Sequence, residues 1–509
     1  MTEGVVRPLV GEPNKAMITV IAMAAVTMQL LDTTIANVAL PHMMGSLGAT
    51  LDQIAWVLTS YIVAAAISTP ITGWLASRFG RRRIFVWALV GFTVASALCG
   101  VAVTLPQIVL FRILQGLFGA SLVPLSQAIL LDTYPRNEVA RAMAIFSMGV
   151  MVAPIIGPIL GGFLTDQYSW RWCFYINVPL GILSVLGALS FIPETIATIG
   201  RKLDWFGFAF LTLAIATLQL VLDRGEQRGW FQSGEIVTEA TLCAFGLYMF
   251  VVHSTTTTRP FFDVRLFQDR TYVISTIIMM MIFVVYYGSM ALTPQMLQNE
   301  FNYPVLTAGL IMAPRGLGTI VAILLTGHIN RLVGPRIMIG AGLAISGLTL
   351  FVMSGWSLNV TPKDIILLGL VQGAGSGLIN VPITTVAFAT LASDLRNEGT
   401  GLYNLMRNIG SAVGISVSTS QLVEFTQTNH SRLGEFMSRF RHLNMPHGIS
   451  GRAGMELLNL NITQQAAMVA YVNVFWLLGL LCLAIIPLVL FLQVPKIQQP
   501  ASAATAMAD

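Results

Sequence analysis

Fourteen stretches of mostly apolar residues divide this chain, each close to the roughly 20 residues that a helix needs to cross the hydrocarbon core of a bilayer. The first six fall near 16 to 38, 54 to 74, 84 to 104, 107 to 130, 140 to 164 and 172 to 192. Two more follow near 205 to 222 and 236 to 253. The last six lie near 271 to 293, 306 to 327, 336 to 355, 364 to 390, 399 to 420 and 466 to 492. Only 10% of the 509 residues are charged, against about 25% in ordinary soluble domains. An all-α polytopic membrane protein is expected.

The grouping is six, two and six, which predicts a first six-helix bundle over 1 to 192 and two additional linker helices over 193 to 258. A second six-helix bundle spans 259 to 492, with a tail from 493 to 509. Lys and Arg concentrate on one side: RFGRRR at 78 to 83, Arg136, Arg141, Arg201, Lys202, the segment from Arg259 to Arg270, Arg331 and Arg336. By the positive-inside rule that side is cytoplasmic, and an even span count puts both termini there. Opposite them an extracytoplasmic loop is expected over 421 to 463, carrying Arg432, Arg439, Arg441, Arg452 and three His. The start MTEGVVRPLVGEPNK is polar and shows no clear small-residue cleavage site after it, so the first helix is expected to be an uncleaved anchor.

Several function classes lose support. Twenty-eight Lys and Arg against 23 acids give +5, but loop arginines account for the excess, and no basic helix interleaved with stacking aromatics lies outside the apolar runs. Nucleic acid is not an expected partner. Cys99, Cys173, Cys243 and Cys482 are isolated and read as core residues. The six His, at 42, 253, 328, 430, 442 and 447, lack metal-ligand spacing and read as solvated. There is no phosphate-binding GxxxxGK[ST] loop and no credible Ser/His/Asp or HExxH constellation, so neither ATP-driven pumping nor hydrolysis is expected, and the chain is not read as an enzyme.

The two halves repeat. LFRILQGLFGASLVP at 110 to 124 resembles LLGLVQGAGSGLINVP at 367 to 382, RNE recurs at 136 and 396, and GWLASRFGRR has a weaker echo in GHINRLVGPR. The offsets run from 254 to 260 residues, so one unit occurs twice in the same orientation. Parallel halves of this kind mark transporters that rock one bundle against the other around a midplane site.

GWLASRFGRRR supplies Gly73, Arg78, Gly80 and Arg81, read either as a topology signal alone or as a gate latch that breaks and reforms. GVMVAPIIGPILGGF places Gly149, Gly157 and Gly161 largely on one helical face, beside Gly162, with Pro154 and Pro158 expected to bend the helix, and by itself such a face reads as a packing surface. Together with LDTTIANVALP, RILQG, FFDVRLF and LTPQMLQ, these segments resemble the major facilitator superfamily, in its fourteen-helix drug:proton antiporter branch. The resemblance implies the major facilitator fold and identifies the glycine-rich helix as the antiporter motif, a flexible element against which the halves slide. One departure stands out: the family's loop motif often carries Asp where this chain has Ser77, so the arginines must find other partners.

Ionisable groups at membrane depth are few: Asp32, Arg112, Arg315 and Arg407. Each costs on the order of 2.5–3.5 kcal/mol on insertion scales, so each is a functional candidate by default. Taking Pro41 as the helix end, Asp32 lies about 13 Å deep, and Arg112 about 8 Å inside the fourth span, both in the outer half of the first bundle. Desolvation favours the neutral acid and a nearby guanidinium favours the carboxylate, so relative movement of the pair is a means of loading and releasing a proton. A permanent structural salt bridge is the alternative.

Substrate-binding candidates are Gln29, Asn37, Gln115, Tyr286, Tyr287, Gln295, Gln372, Asn380, Asn404 and Arg407, for each of which helix-helix hydrogen bonding is the competing reading. Aromatics, amides and 24 Met suit hydrophobic or amphipathic drugs of varied shape. The resemblance implies multidrug export driven by protons, with no bound cofactor, from the bacterial inner membrane. It further implies a periplasmic membrane-fusion adaptor and an outer-membrane channel, the 421 to 463 loop being the docking candidate. Export of an endogenous metabolite or siderophore, and a non-transporting receptor or scaffold, are the alternatives.

Overall fold

The computed structural model describes residues 14–135, 138–194, 203–258, 260–392, 395–439 and 452–492. Among them every regular element is helical. The first bundle contains α1 (Lys15–Leu47), α2 (Leu51–Phe79), α3 (Arg81–Val101), α4 (Leu105–Gly119), α5 (Leu122–Thr133), α6 (Val139–Gln167), α7 (Trp172–Tyr175) and α8 (Asn177–Phe191). Then come α9 (Trp205–Arg224) and α10 (Gly234–Thr256). A short α11 (Arg265–Gln268) leads into α12 (Arg270–Asn299), α13 (Val305–Val333), α14 (Pro335–Met353), α15 (Pro362–Ala389), α16 (Arg396–Arg439) and α17 (Arg452–Val489).

Twelve stretches of the described residues are long and apolar enough to span a membrane, and α6 with the first half of α16 completes fourteen. Two spans are each made of a helix pair. Pro124 has no N–H to give the Ala120 carbonyl, and the fourth span accordingly breaks between Gly119 and Leu122. Pro179 has the same effect on the sixth, where Ile176 separates α7 from α8. Helix starts are satisfied locally: the Asp269 carboxylate accepts from the Thr271 and Tyr272 N–H groups, both at 3.0 Å, and Thr361 forms a capping box with Asp364.

The helix ends differ from the sequence expectation in two places. The first helix does not stop near Pro41 but runs six residues further to Leu47, where Gly48 at φ 61 closes it in the left-handed conformation. The expected loop over 421 to 463 is not a loop at its two ends. Helix α16 continues unbroken to Arg439, and α17 already begins at Arg452, so the two apolar spans extend as a helical hairpin. His430 Nε2 and Asn459 Oδ1 meet at 3.1 Å across its two arms. At 1.5 Å per residue the 44-residue α16 is about 66 Å long, roughly twice a hydrocarbon core. Polar composition past Ser420 ends membrane burial but not helicity, because QLVEFTQTNHSRL contains no Pro or Gly.

Packing follows the glycines. Helices α1 and α6 lie against each other, and a Cβ on Gly157 would overlap the Thr34 side chain, while one on Gly161 would lie 3.3 Å from the Ile35 Cα. Helix α9 packs on α2 and pairs with α10, crossing closest at Gly246, whose Cβ would lie 2.9 Å from the Ala214 nitrogen. The two halves meet through α2 against α16 and α6 against α13 and α15, and one apolar cluster joins Met143 and Phe146 to Phe283, Phe388 and Tyr403.

Of the residues singled out from sequence, Arg136, Asn137, Arg201, Lys202, Arg259, Arg441, His442, His447 and the tail lie outside the described residues, as do the side chains of Pro154, Pro158, Arg331, Asn397, Arg439 and Arg452. Helix α6 nonetheless passes through positions 154 and 158 without a break.

Gly157→Leu is expected to wedge α1 from α6 and cost about 1–3 kcal/mol. Gly162, around which a Cβ meets nothing within 4 Å, should tolerate Ala. Thermal unfolding of the detergent-solubilised protein checks this, and equal midpoints for the two variants would remove the glycine face as a packing constraint.

Candidate functional site

Asp32 on α1 and Arg112 on α4 are both fully enclosed, at 1% and 0% exposure. Arg112 Nη1 donates to Asp32 Oδ2 at 2.6 Å and to Gln115 Oε1 at 2.9 Å, and its Nε donates to the Val57 carbonyl at 3.0 Å. The guanidinium stacks over Tyr61, 4.2 Å from the ring centroid, with Phe174 at 5.7 Å on another side. Asp32 Oδ1 accepts two further bonds, from Gln115 Nε2 at 2.9 Å and from Asn177 Nδ2 at 2.8 Å. Ser96 accepts from Asn177 at 3.0 Å and donates to the Phe174 carbonyl at 2.9 Å.

Six elements of the first bundle therefore converge on one carboxylate: α1, α2, α3, α4, α7 and α8. The physical reason is that an unpaired charge in this environment costs several kcal/mol, so the side chains around it are those able to donate to it. Gln115, read from sequence as a substrate contact, is placed in this network instead, because residues three apart on a helix share a face and Arg112 already points inward. Asn177, Ser96 and Tyr61 were missed. The available signal for Asn177 was an amide at the start of the apolar run NVPLGILSVLGALSF, a weak one beside the many Ser and Thr in other spans.

The remaining binding candidates are scattered by the fold. Asn37 and Gln295 are exposed and Gln29 is half-buried. Asn380 turns back onto the Ser376 carbonyl at 2.9 Å within its own helix. Asn404 donates to Gln127 Oε1 at 2.8 Å, a bond between the two halves. Tyr286, Tyr287 and Phe283 form an aromatic cluster on α12, with Phe283 and Tyr287 stacked at 5.4 Å. Arg315 lies over Tyr286 at 4.8 Å and Arg407 over Phe283 at 5.5 Å. Gln372 borders the same recess as Arg315.

The partner that replaces the missing loop acid is Asp132 at the end of α5. It forms an ion pair with Arg81, and its other oxygen lies 3.6 Å from Arg396 Nη1 on α16. One carboxylate thus ties the arginine tract to the opposite half. Gly73 and Gly80 are buried, Gly80 at φ 89 turning the chain from α2 to α3, while Arg78 is exposed. The glycine face of α6 is a packing surface within its own bundle: Gly149, Gly157 and Gly161 face α1, while the helix also lies against α13 and α15 of the second half. Contact with the second half comes from Ile159, against Gly309 of α13. No group of His, Cys, Asp and Glu suited to a metal occurs among the described residues.

Comparison with known proteins places this geometry. A family profile described as Major Facilitator Superfamily matches residues 22–414. The multidrug export protein EmrB of Haemophilus influenzae is 34% identical over 488 residues, covering 94% of this chain and 96% of that protein. The fatty acid resistance protein FarB of Neisseria gonorrhoeae is 34% identical over 483 residues, covering 93% and 95%. EmrB of Escherichia coli K12 is 32% identical over 509 residues, covering 96% and 97%. Among solved structures, the human organic anion transporter MFSD10 superposes with a TM-score of 0.61 at 14% identity, covering 92% of this chain and all of that one, a likeness of fold alone.

Replacing Arg112 with Gln leaves a buried carboxylate without its cation and is expected to cost about 3–5 kcal/mol. Adding Asp32→Asn should recover most of that loss. Unfolding titrations of the two single variants and the double variant check it, and a double variant no more stable than Arg112→Gln would show that the two residues do not act as a unit.

Proposed function

The chain belongs to the major facilitator superfamily, and from that premise we propose that it is a multidrug exporter of the fourteen-helix drug:proton antiporter branch, a transporter and not an enzyme. Relatives along nearly the whole chain are named as multidrug export proteins. The observation that carries the coupling is the enclosed carboxylate of Asp32 on α1, held by three side-chain donors from two other helices, α4 and α8.

The proton is the coupling ion, and no bound cofactor is required. While Asp32 is charged, Arg112, Gln115 and Asn177 clamp α1, α4 and α8 together. A proton on Asp32 cancels the ion pair and turns one acceptor oxygen into a donor, which loosens the clamp and leaves Arg112 without its counter-ion. Rocking of the halves then exposes the acid to one side or the other, with the Asp132 link to Arg81 and Arg396 breaking as that face opens. Substrate occupies the space between the halves near Gln29, Tyr286, Tyr287, Gln372 and Arg407. Gln115 and Asn404 serve positioning and closure.

The arginine-rich face is cytoplasmic and both termini lie on that side of the inner membrane. The bundles comprise 1 to 192 and 259 to 492, with 193 to 258 as added linker helices. The helical hairpin formed by the ends of α16 and α17 then projects into the periplasm and docks a membrane-fusion adaptor, which connects to an outer-membrane channel. Met455, Leu457 and Leu460 support this, being exposed apolar side chains on α17 ahead of the apolar run that begins near 466.

In proteoliposomes, Asp32→Asn is expected to reduce proton-driven ethidium export by at least about tenfold while ethidium still binds; export at the wild-type rate would remove Asp32 as carrier. Changing Met455, Leu457 and Leu460 to Ser should abolish co-purification with the adaptor and leave export in proteoliposomes unchanged. Normal adaptor recovery would place the docking surface elsewhere.

A further inference from the structure

The second bundle repeats the first around a site from which the acid is missing. Gln372 follows Gln115 by 257 residues, in the repeated segments noted above, and the same offset carries Asp32 to Ser289 and Arg112 to Gly369. Even across the full range of repeat offsets, Asp32 maps onto the acid-free stretch YYGSMAL, 286 to 292. A guanidinium is present nonetheless, supplied from α13 rather than from the arginine position of the repeat. Arg315 Nη2 donates to Ser289 Oγ at 2.9 Å, and a Cβ on Gly369 would lie 3.7 Å from the Arg315 Cβ. A neutral hydroxyl thus faces the cation where the first bundle presents a carboxylate.

This cation is left short of partners. Arg315 is 7% exposed, its Nε has no acceptor, and among the described residues no carboxylate pairs with it. It borders a recess whose walls include Thr293, Gln372, Met312, Met353 and Trp356. Arg407, also buried in this bundle, lies over the Phe283 ring beside Tyr287 and Tyr403, and among the described residues no carboxylate pairs with it. A cation enclosed without a counter-ion is costly, and an arginine fork is shaped to receive two oxygens of a carboxylate or sulfonate.

We infer that Arg315, with Ser289, Thr293 and Gln372, is an anion subsite of the second bundle, taking the carboxylate or sulfonate head of an amphipathic substrate whose apolar part lies along Met312, Met353 and Trp356. The inference rests on the export reading above and names a substrate class for it. The two bundles then divide the electrostatic work: the first carries a titratable acid with its own cation, and the second a cation whose counter-ion arrives with the cargo.

The test uses the full chain in nanodiscs and three probes of one chain length: decanesulfonate, decanol and decyltrimethylammonium. The sulfonate stays charged at all working pH, so its binding is separate from proton loading. Calorimetric titration is expected to show the wild type preferring decanesulfonate over the other two by at least about tenfold. Arg315→Gln should abolish that preference, and Arg315→Lys, which keeps the charge but not the fork, should retain part of it. Matching thermal midpoints for the two variants exclude unfolding as the cause. An equal preference in wild type and Arg315→Gln, or no preference in the wild type, overturns the inference. Wild-type ethidium export separates the two levels: export without sulfonate preference sinks the subsite alone, and no export of any probe sinks the reading beneath it.

Discussion

A single buried carboxylate organises the first bundle. Asp32 accepts from Arg112, Gln115 and Asn177, and Arg112 in turn reaches the Val57 carbonyl and the Tyr61 ring. Moving Arg112, Gln115 or Asn177 away removes a donor from a fully enclosed carboxylate. The helices that carry them are therefore held relative to one another around one charge.

The same economy of contact recurs where the helices and the halves meet. Glycines at 149, 157 and 161 bring α6 onto α1, the helix that holds Asp32, and the same α6 faces α13 through Ile159. At the arginine-rich face, Asp132 pairs with Arg81 and approaches Arg396 from the opposite half. One carboxylate thus sits between two arginines of opposite halves, and Asn404 with Gln127 adds a neutral bond between the halves.

Much of this was legible in the linear sequence, and the failures have physical causes. Span number followed from apolar run length, because the bilayer thickness sets that length directly. The link between Asp32 and Arg112 was suggested by counting depth along two helices, and the two residues meet at 2.6 Å. Asp132 could not be chosen from its surroundings, since LLDTYP looks like any helix end. The 421 to 463 segment reads as a loop in sequence because hydropathy reports where the membrane stops and says nothing of where a helix stops in water; α16 runs on to Arg439. For Gln115 and Asn404 the sequence leaves ligand contact and helix-helix hydrogen bonding open, because an amide has the same appearance whether its partner is a substrate or another helix; the fold supplies each with a protein partner.

The sequence by itself determined an all-helical membrane protein with two repeated halves, and it marked out four buried charges. Those conclusions rest on properties of single residues and their spacing, which need no knowledge of what lies across the bundle. Only the tertiary structure decided which charge has a counter-ion. Arg112 meets an acid, Arg315 meets a hydroxyl and an aromatic face, and Arg407 meets an aromatic face. Pairing is a property of two helices brought together from distant parts of the chain, and the energy of a buried charge depends on that partner far more than on the residue itself.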